Sequence, residues 1–168
     1  MPRLPPAALA AALVCLAPAC GDPLAPSVPL PSQGPPRALV YDEGGYGGTI
    51  TEVRLAGDTV VLVARDFFAL RDSTVLRRVP SADDWRAFWR AAADAGVGRW
   101  PAECRDPNVV DGGGFRYELV WDDGRRAGSY VNAYPTWAGR CSRDAAGTAE
   151  ARAFGDAVLG LAGMAVPD

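Results

Sequence analysis

The feature that most constrains the fold is a series of short strand-like segments joined by glycine and aspartate turns. Three of them, ALVYDE, TITEVRL and TVVLVAR, are rich in β-branched residues and occupy residues 38–43, 49–55 and 59–65. Two further strands are predicted at 74–79 and 125–132. The segment FRYELVW at 115–121 alternates apolar and polar residues and precedes the turn sequence DDG. Strands spaced so closely connect as hairpins, which predicts a mainly antiparallel sheet.

Two helices complete the predicted fold. The first begins after Ser81, which is a favourable N-cap residue followed by two acids in the first turn. Its apolar residues recur at helical spacing and are Trp85, Phe88, Trp89 and Ala92. The second helix is predicted at 147–162, with Phe154, Val158 and Leu161 on one face. The sequence therefore predicts an α+β fold in the order ββββ-α-ββ-α, with the helices packed on one face of the sheet.

Length, charge and composition exclude several classes of function. The chain has 168 residues, which is enough for one domain, and its formal net charge is −3. With no long basic run, nucleic acid is a poor partner. The sequence contains no histidine, which excludes a Ser-His-Asp or Cys-His catalytic site within the chain and any zinc site that needs imidazole. No cofactor or metal is predicted.

The N-terminal residues carry the pattern of an export signal. Arg3 precedes an apolar stretch at residues 7–17, which is shorter than the roughly 20 residues that span a bilayer. Residues 1–19 are therefore predicted to be a signal peptide. The sequence Leu-Ala-Pro-Ala-Cys at 16–20 resembles the lipobox of bacterial lipoproteins. This resemblance implies cleavage before Cys20, a lipid on its sulfur and a membrane anchor at the cell envelope, with Gly21 favouring the outer membrane.

A second interpretation of the cleavage site stays open. Residues 17–19, Ala-Pro-Ala, also fit an ordinary signal peptidase, which would leave a soluble periplasmic or secreted protein with the same first residue. The following segment, 21–36, holds six prolines in 16 residues, and proline-rich chains adopt extended conformations. We expect residues 20–36 to form the lipidated cysteine and a tether, and residues 37–168 to form a single domain.

The cysteine count is consistent with export. Cys15 leaves with the predicted signal peptide and Cys20 takes the lipid, so Cys104 and Cys141 remain as an even pair. In an oxidising compartment such a pair is expected to form a disulfide. The two residues flank the predicted hairpin at 115–132, whose ends lie close together, so a bridge across its base is geometrically reasonable.

Three loops contain candidate binding residues. The turn EGGYGGT lacks the lysine and the following helix of a phosphate-binding loop, and Tyr46 at its tip is a candidate contact residue. The loop 106–113 carries Asp106, Asn108 and Asp111 but departs from the calcium-loop pattern, which favours a simple turn. The segment 128–139 is rich in aromatics. Its candidates for contacting a peptide or glycan, which could equally cap the core, are Tyr130, Asn132, Tyr134 and Trp137.

These observations lead to three hypotheses. The first is an envelope-anchored binding or accessory domain with no chemistry of its own, whose partner is an envelope protein or a glycan. The second is a protease inhibitor. The ten residues YDEGGYGGTI, at 41–50, resemble the glycine-rich turn of emfourin-type metalloprotease inhibitors, which implies a contact at residues 44–48. The third is a hydrolase that uses carboxylates alone, with Asp111, Asp122 and Asp123 as candidates.

Overall fold

A computed structural model describes residues 27–45, 47–66, 68, 72–109, 112–122, 124–143 and 147–164. Within them, seven strands form one sheet. In chain order these are β1 Ala38–Gly45, β2 Thr49–Ala56, β3 Thr59–Asp66, β4 Asp72–Arg78, β5 Glu103–Arg105, β6 Gly113–Trp121 and β7 Gly124–Val131. A separate two-stranded sheet consists of β8 Tyr134–Pro135 and β9 Cys141–Ser142, and the helices are α1 Ala82–Asp94 and α2 Ala149–Leu161.

The main sheet is antiparallel except at one edge. The strand order is β4-β3-β2-β1-β6-β7-β5, and only the β5–β7 pair is parallel. The predicted α+β class and its mainly antiparallel sheet are confirmed. The strands β5, β8 and β9 were not predicted, because two or three residues are too few to show a period of two. Their positions depend on tertiary pairing with β7 and with each other.

The hydrophobic core lies between one face of the sheet and the two helices. Alternate residues of β6 point into it, as the sequence pattern predicted, and the four apolar residues predicted for α1 are buried. At the centre of the core is Trp100, which follows a short 3₁₀ helix at Val97–Arg99 and is 1% exposed. Its ring makes edge-on contacts with Tyr117, Tyr130 and Phe154 at centroid distances of 5.9, 5.8 and 5.3 Å.

The proline-rich residues 27–36 lie against the domain instead of extending away from it. The Val28 amide donates to the Gly98 carbonyl at 2.8 Å, and the Trp89 indole N–H donates to the Gly34 carbonyl at 2.7 Å. Val28 and Leu30 pack against the core. The predicted boundary at residue 37 therefore falls inside packed structure. The physical reason is that apolar side chains between the prolines can be buried even though the prolines exclude regular secondary structure. We call residues 27–36 the strap.

The predicted disulfide between Cys104 and Cys141 is confirmed. It joins β5 to β9, with the two Cα atoms 5.6 Å apart. Cys104 is buried and Cys141 is exposed, so the bridge connects the edge of the main sheet to the loop that carries Trp137. Among the described residues, no helix combines the length and the apolar composition that crossing a bilayer requires.

Candidate functional site

The glycines of two separate loops meet at one end of the sheet. Strand β1 pairs with β6 so that Gly44 lies opposite Gly114 and Gly45 lies opposite Gly113. These two pairs lie at the end of β1 and at the start of β6, next to the turn that joins β1 to β2. The pairing brings the first glycines of the 44–48 segment beside the glycines at and just after the end of the 106–113 segment, a juxtaposition that neither segment indicates by itself. The sheet therefore carries no side chains at these four positions.

The missing side chains leave a cleft of about 320 Å³. Its lining includes the backbone of Gly44, Gly113 and Gly114, with Ile50 from β2 on one side and Val131 from β7 on the other. We call this feature the glycine cleft. Its volume lies at the lower end of the range found for ligand sites in proteins.

Close backbone packing at the cleft requires glycine. A Cβ atom on Gly45 would lie 3.0 Å from the Gly113 Cα, and one on Gly44 would lie 3.2 Å from the Ile50 Cα. A Cβ on Gly114 would collide with the Tyr130 carbonyl oxygen. Side chains at these positions would both fill the cleft and push the strands apart, so the glycines serve the packing of the sheet and the shape of the cleft together.

Apolar side chains at and near the rim of the cleft are partly exposed to solvent. Val131 is 39% exposed, and Ile50 on the opposite side is half-buried. Phe68, which is 69% exposed, lies on the turn between β3 and β4, where its ring is 3.6 Å from the position that a Cβ on Gly47 would take. Apolar side chains that gather around a concavity are typical of surfaces that bind a partner.

A charged pair borders the cleft on the open face of the sheet. The Arg116 Nε donates to the Asp42 carboxylate at 2.9 Å, across the β1–β6 pair. The hydrogen bond and the charge of Asp42 raise the pKa of Arg116 above its ordinary value. The Arg116 side chain remains 69% exposed, so the guanidinium can still reach a carboxylate or a carbonyl oxygen of a ligand.

A second cavity, which is more enclosed and has polar residues in its lining, lies at the same strand ends on the opposite face of the sheet. This cavity of about 360 Å³ lies between β1 and α2, lined in part by Tyr41, Glu43, Tyr134 and Asp156. The Tyr41 hydroxyl donates to the Glu43 carboxylate at 2.9 Å. Burial, and then the charge of Glu43, raise the pKa of Tyr41 above its ordinary value. Tyr41 therefore stays protonated and holds Glu43 in place.

The structure separates the four candidates of the segment 128–139. Tyr130 is fully buried, and its hydroxyl donates to the Pro101 carbonyl at 2.7 Å, so its ring belongs to the core. Asn132 and Tyr134 lie near the end of the glycine cleft, beside Gly112 and Gly113 respectively. Trp137 lies elsewhere, against Gly96 after α1. The strand does not continue past Val131, which is why the four side chains do not share one edge.

Asn132 has a strained backbone and an unused donor. Its φ is +55°, in the left-handed region that asparagine tolerates better than most residues. Its side-chain nitrogen is buried and makes no hydrogen bond with the described residues. Strain and an unpaired donor in one residue are features that occur at functional sites. Here both are found next to the glycine cleft.

The remaining candidates are placed as follows. Cys20, Tyr46, Asp111 and Asp123 lie outside the described residues. Asp122 occupies the exposed turn between β6 and β7, with its carboxylate 4.0 Å from Arg37. Asp106 accepts the backbone N–H of Asn108 at 3.0 Å, which confirms the turn predicted there. Among the described residues, no group of three acids or cysteines is arranged to hold a metal ion.

No protein-family model matches this sequence, and no curated protein matches it.

Proposed function

We propose that this protein is a lipid-anchored domain of a bacterial cell envelope, which binds a polypeptide segment in the glycine cleft and carries out no chemistry of its own. The observation that carries the proposal is the pairing of Gly44 and Gly45 with Gly114 and Gly113, which opens an apolar-rimmed cleft at the end of the sheet. The anchor is supported by the lipobox-like sequence that ends at Cys20.

The chemistry of the cleft favours polypeptide over glycan. Beside the Asp42–Arg116 pair, its lining includes the aliphatic side chains of Ile50 and Val131, which suit the apolar side chains of a protein partner. The backbone groups at the floor already pair within the sheet. A bound segment would therefore place side chains over the glycines, while the exposed Arg116 supplies hydrogen bonds from the border.

The anchor predicts a defined mass for the mature protein. Protein recovered from its native membrane fraction is expected to match residues 20–168 plus a diacylglycerol group, with or without a further acyl chain. Intact mass spectrometry measures this directly. A bare polypeptide in the soluble fraction, with the Cys20 thiol open to alkylation, would contradict the anchor and leave a periplasmic or secreted protein.

Binding at the cleft predicts that a negative charge introduced on its rim weakens partner capture. The variant Val131→Glu places a carboxylate where we propose apolar contact, and binding is expected to weaken at least about tenfold, since a charge buried without a partner is strongly unfavourable. The matched control is Val75→Glu, because Val75 is 46% exposed on the distant strand β4. The measurement is affinity capture from envelope extract, and equal capture by both variants would contradict the proposed site.

A metalloprotease inhibitor is the second candidate, and the same cleft favours it. Gly44 and Gly45, which belong to the ten residues that resemble emfourin-type inhibitors, line the cleft. An assay against a thermolysin-like enzyme distinguishes the two functions. Inhibition at micromolar concentration that is lost in Val131→Glu and kept in Val75→Glu would make the protease the bound polypeptide. Full protease activity in the presence of the wild-type protein would exclude this candidate.

A further inference from the structure

The strap limits the distance between the domain and its proposed anchor. Because residues 27–36 pack against α1 and the 3₁₀ helix, only residues 21–26 separate the packed chain from Cys20. A chain of this length reaches at most about 25 Å when fully extended. The tether expected for residues 21–36 would have reached about twice as far. The side of the domain from which the strap leaves must therefore lie close to the membrane.

The charged residues that line the groove on that side of the domain are all basic. This groove of about 520 Å³ runs between the strap and α1, and its lining contains Arg86, Arg90 and Arg99 but no carboxylate. Arg86 pairs with Asp83 on the same helix. Arg90 is exposed and makes no ion pair with the described residues. The strap residue Ser27, from which the chain leads back to Cys20, belongs to the same lining. The basic groups and the exit of the chain thus lie together.

An exposed tryptophan accompanies the arginines. Trp137 is 50% exposed, and the Arg99 guanidinium lies 3.8 Å from the centroid of its ring. The Trp137 amide donates to the Glu150 carboxylate at 3.2 Å, which places one acid beside the patch. Tryptophan and arginine are the residues enriched where proteins meet lipid headgroups. The two side chains also stabilise each other by a cation–π contact.

We propose that Arg86, Arg90, Arg99 and Trp137 form a membrane-facing surface that contacts the anionic phospholipid headgroups around the lipid of Cys20. This inference rests on the proposed lipid anchor, and it assigns an orientation to the domain. The glycine cleft lies at the strand ends that carry the β1–β2 turn, away from the strap contacts on α1 and the 3₁₀ helix. The surface positions the domain on the membrane and leaves the cleft for its partner.

Tryptophan fluorescence in vesicles tests the orientation. Trp85, Trp89, Trp100 and Trp121 are at most 8% exposed, so quenching by aqueous acrylamide reports mainly on Trp137. Protein purified from its native membrane fraction is reconstituted into vesicles of phosphatidylcholine alone or with phosphatidylglycerol. The quenching constant is expected to fall by about half in the anionic vesicles, because a ring at the headgroup level is shielded from water. It is expected to recover in about 0.5 M NaCl, which screens surface charges.

Matched charge reversals complete the experiment. Arg90→Glu is expected to restore quenching in anionic vesicles, whereas Arg77→Glu is not, because Arg77 is exposed on the open face of the sheet, opposite the helices. Flotation with both kinds of vesicle shows that the anchor is present. Equal quenching in both vesicles, or equal behaviour of the two variants, would then overturn the membrane-facing surface and leave the anchor intact. Failure to float would overturn the anchor and this inference with it.

Discussion

Replacement of Trp100 by alanine is expected to lower the free energy of unfolding by about 3–5 kcal/mol, the range typical of a fully buried large aromatic side chain. Trp100 is 1% exposed and contacts aromatic residues from β6, β7 and α2. Its indole N–H also donates to the Ala95 carbonyl at 2.9 Å. The substitution therefore opens a cavity at the point where sheet and helices meet, and it leaves a buried acceptor unpaired.

The same substitution at Trp137 provides the control. Trp137 is half exposed and its main ring contact is with Arg99, so Trp137→Ala is expected to cost about 1 kcal/mol or less. Urea unfolding followed by circular dichroism measures both variants. A loss below about 1 kcal/mol for Trp100→Ala would contradict the position of its ring in the core.

Loss of the disulfide is expected to lower the free energy of unfolding by about 2–4 kcal/mol. The bridge closes a loop with a sequence separation of 37 residues. Closing a loop of this length lowers the entropy of the unfolded chain, which destabilises the unfolded state by roughly 4 kcal/mol. It also connects the edge strand β5 to the loop that contains Trp137. The paired variant Cys104→Ala/Cys141→Ala and the reduced wild-type protein are expected to show the same loss.

Unfolding with and without reductant measures this effect. Reductant should destabilise the wild-type protein and leave the paired variant unchanged, which separates the disulfide from general effects of the reductant. Equal stability of oxidised and reduced wild-type protein would show that the bridge contributes nothing to the fold.

The sequence predicted the elements whose residues repeat with a clear period. The alternation in β6 and the helical spacing around Trp85 and Trp89 were both confirmed, because each pattern reflects burial of one face against the core. Ile50 and Val53 lie three residues apart and therefore on opposite faces of β2, which pairs regularly with both of its neighbours. A shift in register occurs in β3, at Ala64 and Arg65.

The candidate site was harder to predict from the sequence than the strands and helices were. The two glycine runs are separated by more than 60 residues, and only the pairing of β1 with β6 brings them together. A one-residue slip in that register would separate Gly44 from Gly114, and no local pattern in the sequence determines it. The strap was missed for a similar reason, because Val28 and Leu30 are too few to show a period. Both features depend on contacts between distant residues.

The most direct test of the proposed function is photo-crosslinking in the native organism from position 131. A photoreactive amino acid replaces Val131, and a second strain carries it at Val75 as the control, since both side chains are similarly exposed. A discrete adduct with one polypeptide is expected at position 131, and none is expected at position 75. A glycan adduct at position 131, identical adducts at both positions, or no adduct at position 131 would contradict a polypeptide-binding glycine cleft.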